Sequence, residues 1–127
     1  MKTEIISLIG IILAGLAFVF SIFTFILHRR QTRKELVYKM LYDLNIIVID
    51  HTEVSQVANG ELTQVQSAYS SMVWNFVEAV YNLNLQNDKF LEPSINQLAK
   101  LYRKWYVENK NSYGSRFQKF IYKKYKI

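Results

Sequence analysis

An uncharged run of 23 residues, from Ile5 to Leu27, constrains the fold of this chain more than any other feature. As a helix it spans roughly 35 Å at about 1.5 Å per residue, slightly more than the ~30 Å hydrocarbon core of a bilayer. The roughly 100 residues that remain are too few to cover such a helix on every side. A cleaved signal peptide has a shorter apolar stretch followed by a small-residue cleavage site, whereas His28-Arg29-Arg30 follow this run. The sequence therefore predicts one transmembrane helix.

Basic residues beside the run predict its orientation. Lys2 is the single cation before it. Four cations follow it closely: Arg29, Arg30, Arg33 and Lys34. By the positive-inside rule, the C-terminal side lies in the cytoplasm and the N-terminus outside, with these four cations at the lipid headgroups. We therefore expect a plasma (inner) membrane protein with a transmembrane helix over residues 1–28 and a cytoplasmic helical domain over residues 29–127.

Small or weakly polar residues recur in the run at strict heptad spacing and form one seam along the helix. The seam consists of Ser7, Gly10, Ala14, Ala17, Ser21 and Thr24, with His28 at the next position. Small residues let helix backbones approach closely in lipid, and heptad spacing favours left-handed pairing. Because the chain has one span, the partner is another copy. The seam is interpreted either as a packing stripe with its hydroxyls bonded to their own helix, which is favoured, or as the lining of a pore with His28 as a titratable ring.

Apolar residues continue at helical spacing beyond the run and predict an all-α bundle of three to four helices. The predicted helices continue the span to about Asn59-Gly60, then run from about Glu61 to Leu83, from about Pro93 to Val107 and from about Arg116 onward. The residues expected to face inward are Leu36, Val37, Met40, Leu41, Leu44, Ile47 and Val48 in the first helix, Leu62, Val65, Tyr69, Met72, Val73, Phe76, Val77, Val80 and Tyr81 in the second, Ile95, Leu98, Leu101, Tyr102, Trp105 and Tyr106 in the third, and Phe117, Phe120, Ile121 and Tyr125 in the fourth. The Asn-rich segment 82–92 and the segment 109–115 are expected to be turns.

The residue types that catalysis and metal binding require are scarce. Cysteine is absent, which excludes disulfides, thiolate metal sites and cysteine nucleophiles. The two histidines stand outside any metal-site spacing, and the four glycines are isolated rather than grouped in a phosphate loop. Asp50-His51 with Glu53 is a weak acid-base candidate, because exposed neighbours of this kind are common. We therefore expect no enzyme, no metal site and no cofactor.

The last 28 residues are strongly basic, with nine Lys and Arg against one acidic residue. Residues 40–99, in contrast, contain one Lys and seven acidic residues. The cations that could form a ligand or lipid patch are Lys100, Arg103, Lys104, Arg116, Lys119 and Lys123. Aromatic residues stand between them: Tyr102, Trp105, Tyr106 and Tyr113. Three interpretations remain open. In the first, the rings belong to the core, and the cations lie on the solvent-exposed side and pair with the acidic residues of segment 40–99. In the second, the cations bind anionic lipid, and in the third they form a nucleotide site in which the rings stack on a base. No duplex nucleic acid is expected as a partner.

The layout of the chain resembles that of small bacterial single-span membrane proteins with a helical cytoplasmic domain. The features that carry the resemblance are one N-terminal span, the basic stop at His28-Arg29-Arg30, Trp74, and the basic and aromatic run from Arg103 to Tyr106. Proteins of this layout occur as anti-phage membrane effectors, and the resemblance implies a cytoplasmic sensor that controls a membrane-disrupting oligomer. The expected function is that of a non-enzymatic, homo-oligomeric, single-pass membrane protein whose cytoplasmic domain senses or binds a cytoplasmic protein or nucleotide ligand. The alternatives are a membrane-anchored adaptor or assembly subunit without pore activity, and a phage holin-type or superinfection-exclusion protein.

Overall fold

The computed structural model describes residues 1–51 and 61–127, and within them every regular element is helical. The α-helices are α1, Lys2–Asp50; α2, Gln64–Asn82; α3, Leu91–Leu101; α4, Arg103–Asn109; and α5, Ser115–Tyr125, with a 3-10 turn over Lys110–Ser112. This confirms the all-α prediction for the described residues, whereas the predicted helix end at Asn59-Gly60 lies outside them. The chain divides into two compact units, residues 1–35 and 36–127.

The first unit is a length of α1 whose apolar side chains are uncovered. In the most apolar 18-residue stretch of α1 none of the residues is buried, and by length and composition this helix is able to cross a membrane. The hydroxyl of Ser21 donates a hydrogen bond of 2.9 Å to the carbonyl oxygen of Ala17. This seam hydroxyl is thus bonded to its own helix, which is a common hydrogen bond for serine in a helix.

The second unit has one apolar core, to which α2 contributes most. From α1 the core takes Val37 and Leu44, whereas Leu36, expected inward, is exposed. The remaining buried apolar side chains come from the other helices and the turn before α5: Tyr69, Val73, Trp74, Phe76, Val77, Val80, Leu91, Ile95, Ala99, Tyr102, Trp105, Tyr106, Tyr113, Phe117 and Ile121. Most of the predicted inward residues are therefore buried or half-buried in this unit.

Helix α2 begins at Gln64, later than the predicted Glu61, because Thr63 caps it. The Thr63 hydroxyl oxygen accepts from the backbone N–H of Gln66 at 3.2 Å, and the Gln66 side-chain oxygen accepts from the backbone N–H of Thr63 at 3.1 Å. This reciprocal pair satisfies two backbone donors that the helix start leaves open. Two of the predicted inward residues, Val65 and Met72, are exposed, while Trp74 is buried.

The predicted third helix is in fact two helices that meet at Tyr102. Its backbone leaves the helical region there, with φ −108° and ψ 21°. The Tyr102 carbonyl oxygen accepts the indole N–H of Trp74 at 2.9 Å, while the helical hydrogen bond from the Tyr106 N–H to the same oxygen lengthens to 3.5 Å. The buried indole thus shares this carbonyl oxygen with the first turn of α4, directly after the end of α3 at Leu101. Leu101, expected inward, is exposed.

Helix α3 starts at Leu91, two residues before the predicted Pro93, because of Asp88. One Asp88 carboxylate oxygen accepts the backbone N–H groups of Phe90 at 2.9 Å and Leu91 at 3.2 Å. A carboxylate at this place satisfies donors that have no partner within the helix and interacts favourably with its dipole. The Asn-rich stretch before it turns as predicted, with Asn84 at φ 59°.

Candidate functional site

The predicted seam lies on α1 with all of its positions exposed within the first unit. A Cβ built on Gly10 would meet no heavy atom within 4 Å, and the same holds for Gly15, which is off the seam. Neither glycine is therefore required by packing against the described residues of one copy. Among the predicted headgroup cations, Arg29, Arg30 and Lys34 are exposed and Arg33 is half-buried.

All six cations of the predicted C-terminal patch are exposed, and the aromatic residues between them are buried. The exposed cations are Lys100, Arg103, Lys104, Arg116, Lys119 and Lys123. Trp105 donates its indole N–H to the Ser67 hydroxyl oxygen at 3.1 Å, and the ring of Tyr106 stacks on Trp74 with centroids 4.3 Å apart. These rings hold the core together rather than offering faces to a base, so a base-stacking site on them is not formed. The surface that remains is cationic.

Two of these cations line different clefts among the described residues. Lys119 lines a cleft of 380 Å³, together with Tyr106, Lys110, Ser115, Gln118, Tyr122 and Ile127. Arg116 lines a second cleft of 500 Å³, where Glu78 also lies. Since Glu78 places an acid beside Arg116, the Lys119 cleft is the more suitable of the two for an anionic group.

Tyr106 gives the Lys119 cleft a feature that the sequence pattern did not identify. Its side chain is fully buried, and its hydroxyl has no hydrogen-bond partner among the described residues. Burial raises the pKa of this phenol, and its hydroxyl is a neutral hydrogen-bond donor that no described group accepts from. The cleft also contains Ser115, the first residue of α5, whose N-cap Gly114 supplies no side-chain hydrogen bond. Helical spacing placed Tyr106 inward but could not indicate that its hydroxyl lacks a partner.

Replacing Tyr106 by Phe is expected to leave the free energy of unfolding unchanged or to raise it by up to about 1 kcal/mol, because a buried hydroxyl without a partner is removed. The matched control is Tyr113→Phe, which removes a hydroxyl that donates to the Asn75 side-chain oxygen at 3.0 Å, and we expect it to lower the free energy of unfolding by about 1 kcal/mol. Urea unfolding of the full chain in detergent micelles measures both. Equal losses for the two variants would mean that the Tyr106 hydroxyl has a partner in solution.

No metal-binding cluster of three or more His, Asp or Glu side chains occurs within residues 1–51 and 61–127. Of the acid-base candidate, Asp50 and His51 are exposed at the end of α1, and Glu53 lies outside the described residues.

No protein family, curated protein or solved structure matches the chain. Its function is therefore argued from the exposed apolar segment, the seam and the basic surface.

Proposed function

We propose that this chain is a non-enzymatic, homo-oligomeric, single-pass membrane protein whose helical domain lies in the cytoplasm and senses or binds a partner. The observation that carries the proposal is the uncharged segment from Ile5 to Leu27, which α1 presents with its apolar side chains exposed. Contiguous apolar surface of this extent is strongly unfavourable in water, at about 25 cal/mol per Å². A bilayer supplies the environment that this segment needs.

The proposed orientation places the N-terminus outside and residues 29–127 in the cytoplasm, on the strength of the cations after the apolar segment. Because the chain has no cysteine, single-cysteine variants report on it cleanly. Lys2→Cys should react with a membrane-impermeant maleimide added to intact cells. Lys123→Cys, at an exposed position of α5, should react only after the membrane is made permeable. The reverse labelling pattern would overturn the orientation, and labelling of both variants in a fraction without membranes would overturn the span.

The oligomer is proposed to form along the seam, which places small residues on one side of the segment and large apolar residues elsewhere. Substituting Gly10 by Ile is expected to abolish the oligomer, because the added side chain separates the helix backbones. A Cβ at this position meets no heavy atom of the described residues within 4 Å, so the effect of the substitution reports on contacts between copies. Gly15→Ile is the matched control, since it adds the same side chain to the same segment off the seam. Crosslinking in membranes measures the subunit number; a wild-type monomer, or equal loss in both variants, would contradict the seam.

The specific form of the proposal is a membrane-disrupting effector of the anti-phage type, which the layout resembles. When such an effector is triggered it should depolarise the cell, and Gly10→Ile should prevent this while Gly15→Ile should not. The runner-up, a membrane-anchored adaptor, should leave the membrane potential unchanged in every variant. The domain's partner is proposed to be an anionic lipid surface or a small anionic ligand at the exposed cations. Replacing Arg103 and Lys104 by Ala should then remove the response to the trigger and leave the oligomer intact.

A further inference from the structure

The part of α1 that belongs to the second unit carries apolar side chains on two opposite faces. On one face Val37 and Leu44 are buried in the core of the unit. On the other face, which we call the outer face of α1, four apolar side chains are exposed: Tyr38, Tyr42, Ile46 and Ile49. A helix that buries a single face normally carries charged and polar residues opposite it. Among the described residues of this unit, the outer face therefore has more apolar surface than the core uses.

The exposure of the outer face is largest at Tyr42 and Ile49. The exposed fractions are 64% for Tyr42 and 73% for Ile49, and 37% for both Tyr38 and Ile46. Tyr38 is held at the edge of the unit, because its hydroxyl donates to Asp88 at 3.2 Å. A single exposed apolar side chain is ordinary on a protein surface. Tyr42, Ile46 and Ile49, however, follow one another at steps of four and three residues, which places them side by side on one helix face.

The sequence register of the outer face identifies its partner. Continued from Ser7 in steps of three and four, the seam register falls on His28, Gln31, Glu35, Tyr38, Tyr42, Asn45 and Ile49. Three of the four outer-face residues thus occupy seam positions, and Ile46 is next to one. Val37 and Leu44 share a different heptad position, which at 3.6 residues per turn lies roughly 130° around the helix from the middle of the seam. The side of α1 in register with the seam is therefore the side that the unit's own core leaves uncovered.

We infer that the outer face of α1 packs against the outer face of a second, parallel copy of this chain. The inference rests on the proposed oligomer and extends its interface from the membrane segment into the helical domain. A strict heptad drifts by about 20° per heptad around a straight helix, so the two copies supercoil left-handed to keep the stripe in contact. Asn45, which is exposed, then lies at a core position between Tyr42 and Ile49. A polar Asn at such a position fixes the register and the number of helices.

Single-cysteine crosslinking of the full chain in membranes tests this interface, because the wild-type chain contains no cysteine. Tyr42→Cys and Ile49→Cys place a thiol on the outer face. Leu36→Cys is the matched control, since Leu36 is 55% exposed on the same helix but off the seam register. Ser21→Cys reports on the membrane segment alone. Under mild oxidation we expect Tyr42→Cys and Ile49→Cys to form disulfide-linked dimers several-fold faster than Leu36→Cys.

The outcomes separate the inference from the proposed function. If Ser21→Cys crosslinks but Tyr42→Cys and Ile49→Cys are no faster than Leu36→Cys, the inference is wrong and the membrane oligomer stands. If none of the four variants crosslinks, both are overturned. Crosslinking of Tyr42→Cys and Ile49→Cys without Ser21→Cys supports the outer-face interface and contradicts the seam. Labelling of Tyr42→Cys by a lipid-borne thiol probe in place of a dimer would assign the face to the membrane and overturn the inference.

A pair of charged substitutions gives a second measurement that does not depend on thiol chemistry. Tyr42→Lys with Ile49→Lys places four like charges between two copies, while both positions lie at the surface of a single copy. We expect this variant to keep its tryptophan fluorescence and to lose crosslinked oligomers in detergent. Leu36→Lys should keep both. Unchanged oligomers in the double variant would contradict the interface.

Discussion

Replacing Trp74 by Ala is expected to lower the free energy of unfolding of the 36–127 unit by about 3–5 kcal/mol. The side chain is fully buried, its ring stacks on Tyr106 with centroids 4.3 Å apart, and its indole N–H donates to the Tyr102 carbonyl oxygen at 2.9 Å. The substitution leaves a cavity and a buried carbonyl with one fewer donor. Since small domains are stable by only about 5–15 kcal/mol, this loss removes much of the stability.

Two further variants separate the contributions of Trp74. Trp74→Phe keeps an aromatic ring and removes the indole donor, so we expect a smaller loss of about 1–2 kcal/mol. Met72→Ala is the control from the same helix: its side chain is 46% exposed, and the expected change is within about 0.5 kcal/mol. Urea unfolding in detergent micelles measures all three, followed by the fluorescence of Trp105 in the two Trp74 variants and of both tryptophans in Met72→Ala. A loss at Met72 as large as that at Trp74 would contradict the packing described for α2.

These two residues also mark the limit of what periodicity predicts. Helical spacing predicted the existence and type of the helices, and it identified most of the core, because a helix buries one stripe at a period of 3.6 residues. It placed Met72 inward and omitted Trp74. Both residues lie at the edge of the apolar stripe, where burial depends on which other helix packs there rather than on spacing. The stacking of Trp74 on Tyr106 is a contact between α2 and α4 and has no local signal.

The end of α3 is likewise not predictable from spacing. The residues around Tyr102 include no glycine or proline, and the break coincides with a hydrogen bond from the Trp74 indole, distant in sequence, to the Tyr102 carbonyl oxygen. In contrast, the Thr63 and Gln66 pair is a local signal: its capping-box spacing predicts a helix that starts at Gln64, as α2 does. Spacing also identified the cations of the C-terminal patch as surface residues beside a buried aromatic core. The unpartnered Tyr106 hydroxyl could not be predicted, because it depends on what every neighbouring group donates and accepts.

The buried tyrosines give the second large effect: raising the pH from about 10 to about 12 is expected to destabilise the 36–127 unit strongly. Burial, with a smaller contribution from the Glu78 carboxylate, raises the pKa of Tyr113 to about 12. Burial and Glu92 raise the pKa of Tyr125 to about 12. The pKa values of Tyr69 and Tyr102 are also raised by burial. Each phenol therefore holds its proton more tightly in the folded chain than in the unfolded one.

The direction of the pH effect follows from this difference in proton affinity. Below pH 10 the phenols are protonated in both states, and their contribution to the free energy of unfolding is fully present. As the pH rises above 10 the unfolded chain loses these protons first, so unfolding becomes more favourable until the folded phenols also ionise near pH 12. For Tyr113, which is 7% exposed, the loss is about 2 kcal/mol at pH 12. The ionised phenol also loses the proton that it donates to Asn75.

The effect of Tyr113→Phe on the free energy of unfolding should therefore change sign within this pH range. Below pH 10 the variant is less stable than the wild type by about 1 kcal/mol, because Asn75 loses its hydrogen bond. At pH 12 the variant should be the more stable of the two by about 1 kcal/mol, since it has no phenol to ionise. Urea unfolding, followed by far-UV circular dichroism at several pH values, measures where the stability curves of the variant and the wild type cross.

Tyr122→Phe, which removes a 64% exposed phenol from α5, is the control, and its curve should stay parallel to that of the wild type. Parallel curves for Tyr113→Phe would mean that this phenol ionises equally readily in the folded and unfolded chain, and the alkaline transition would then have another cause.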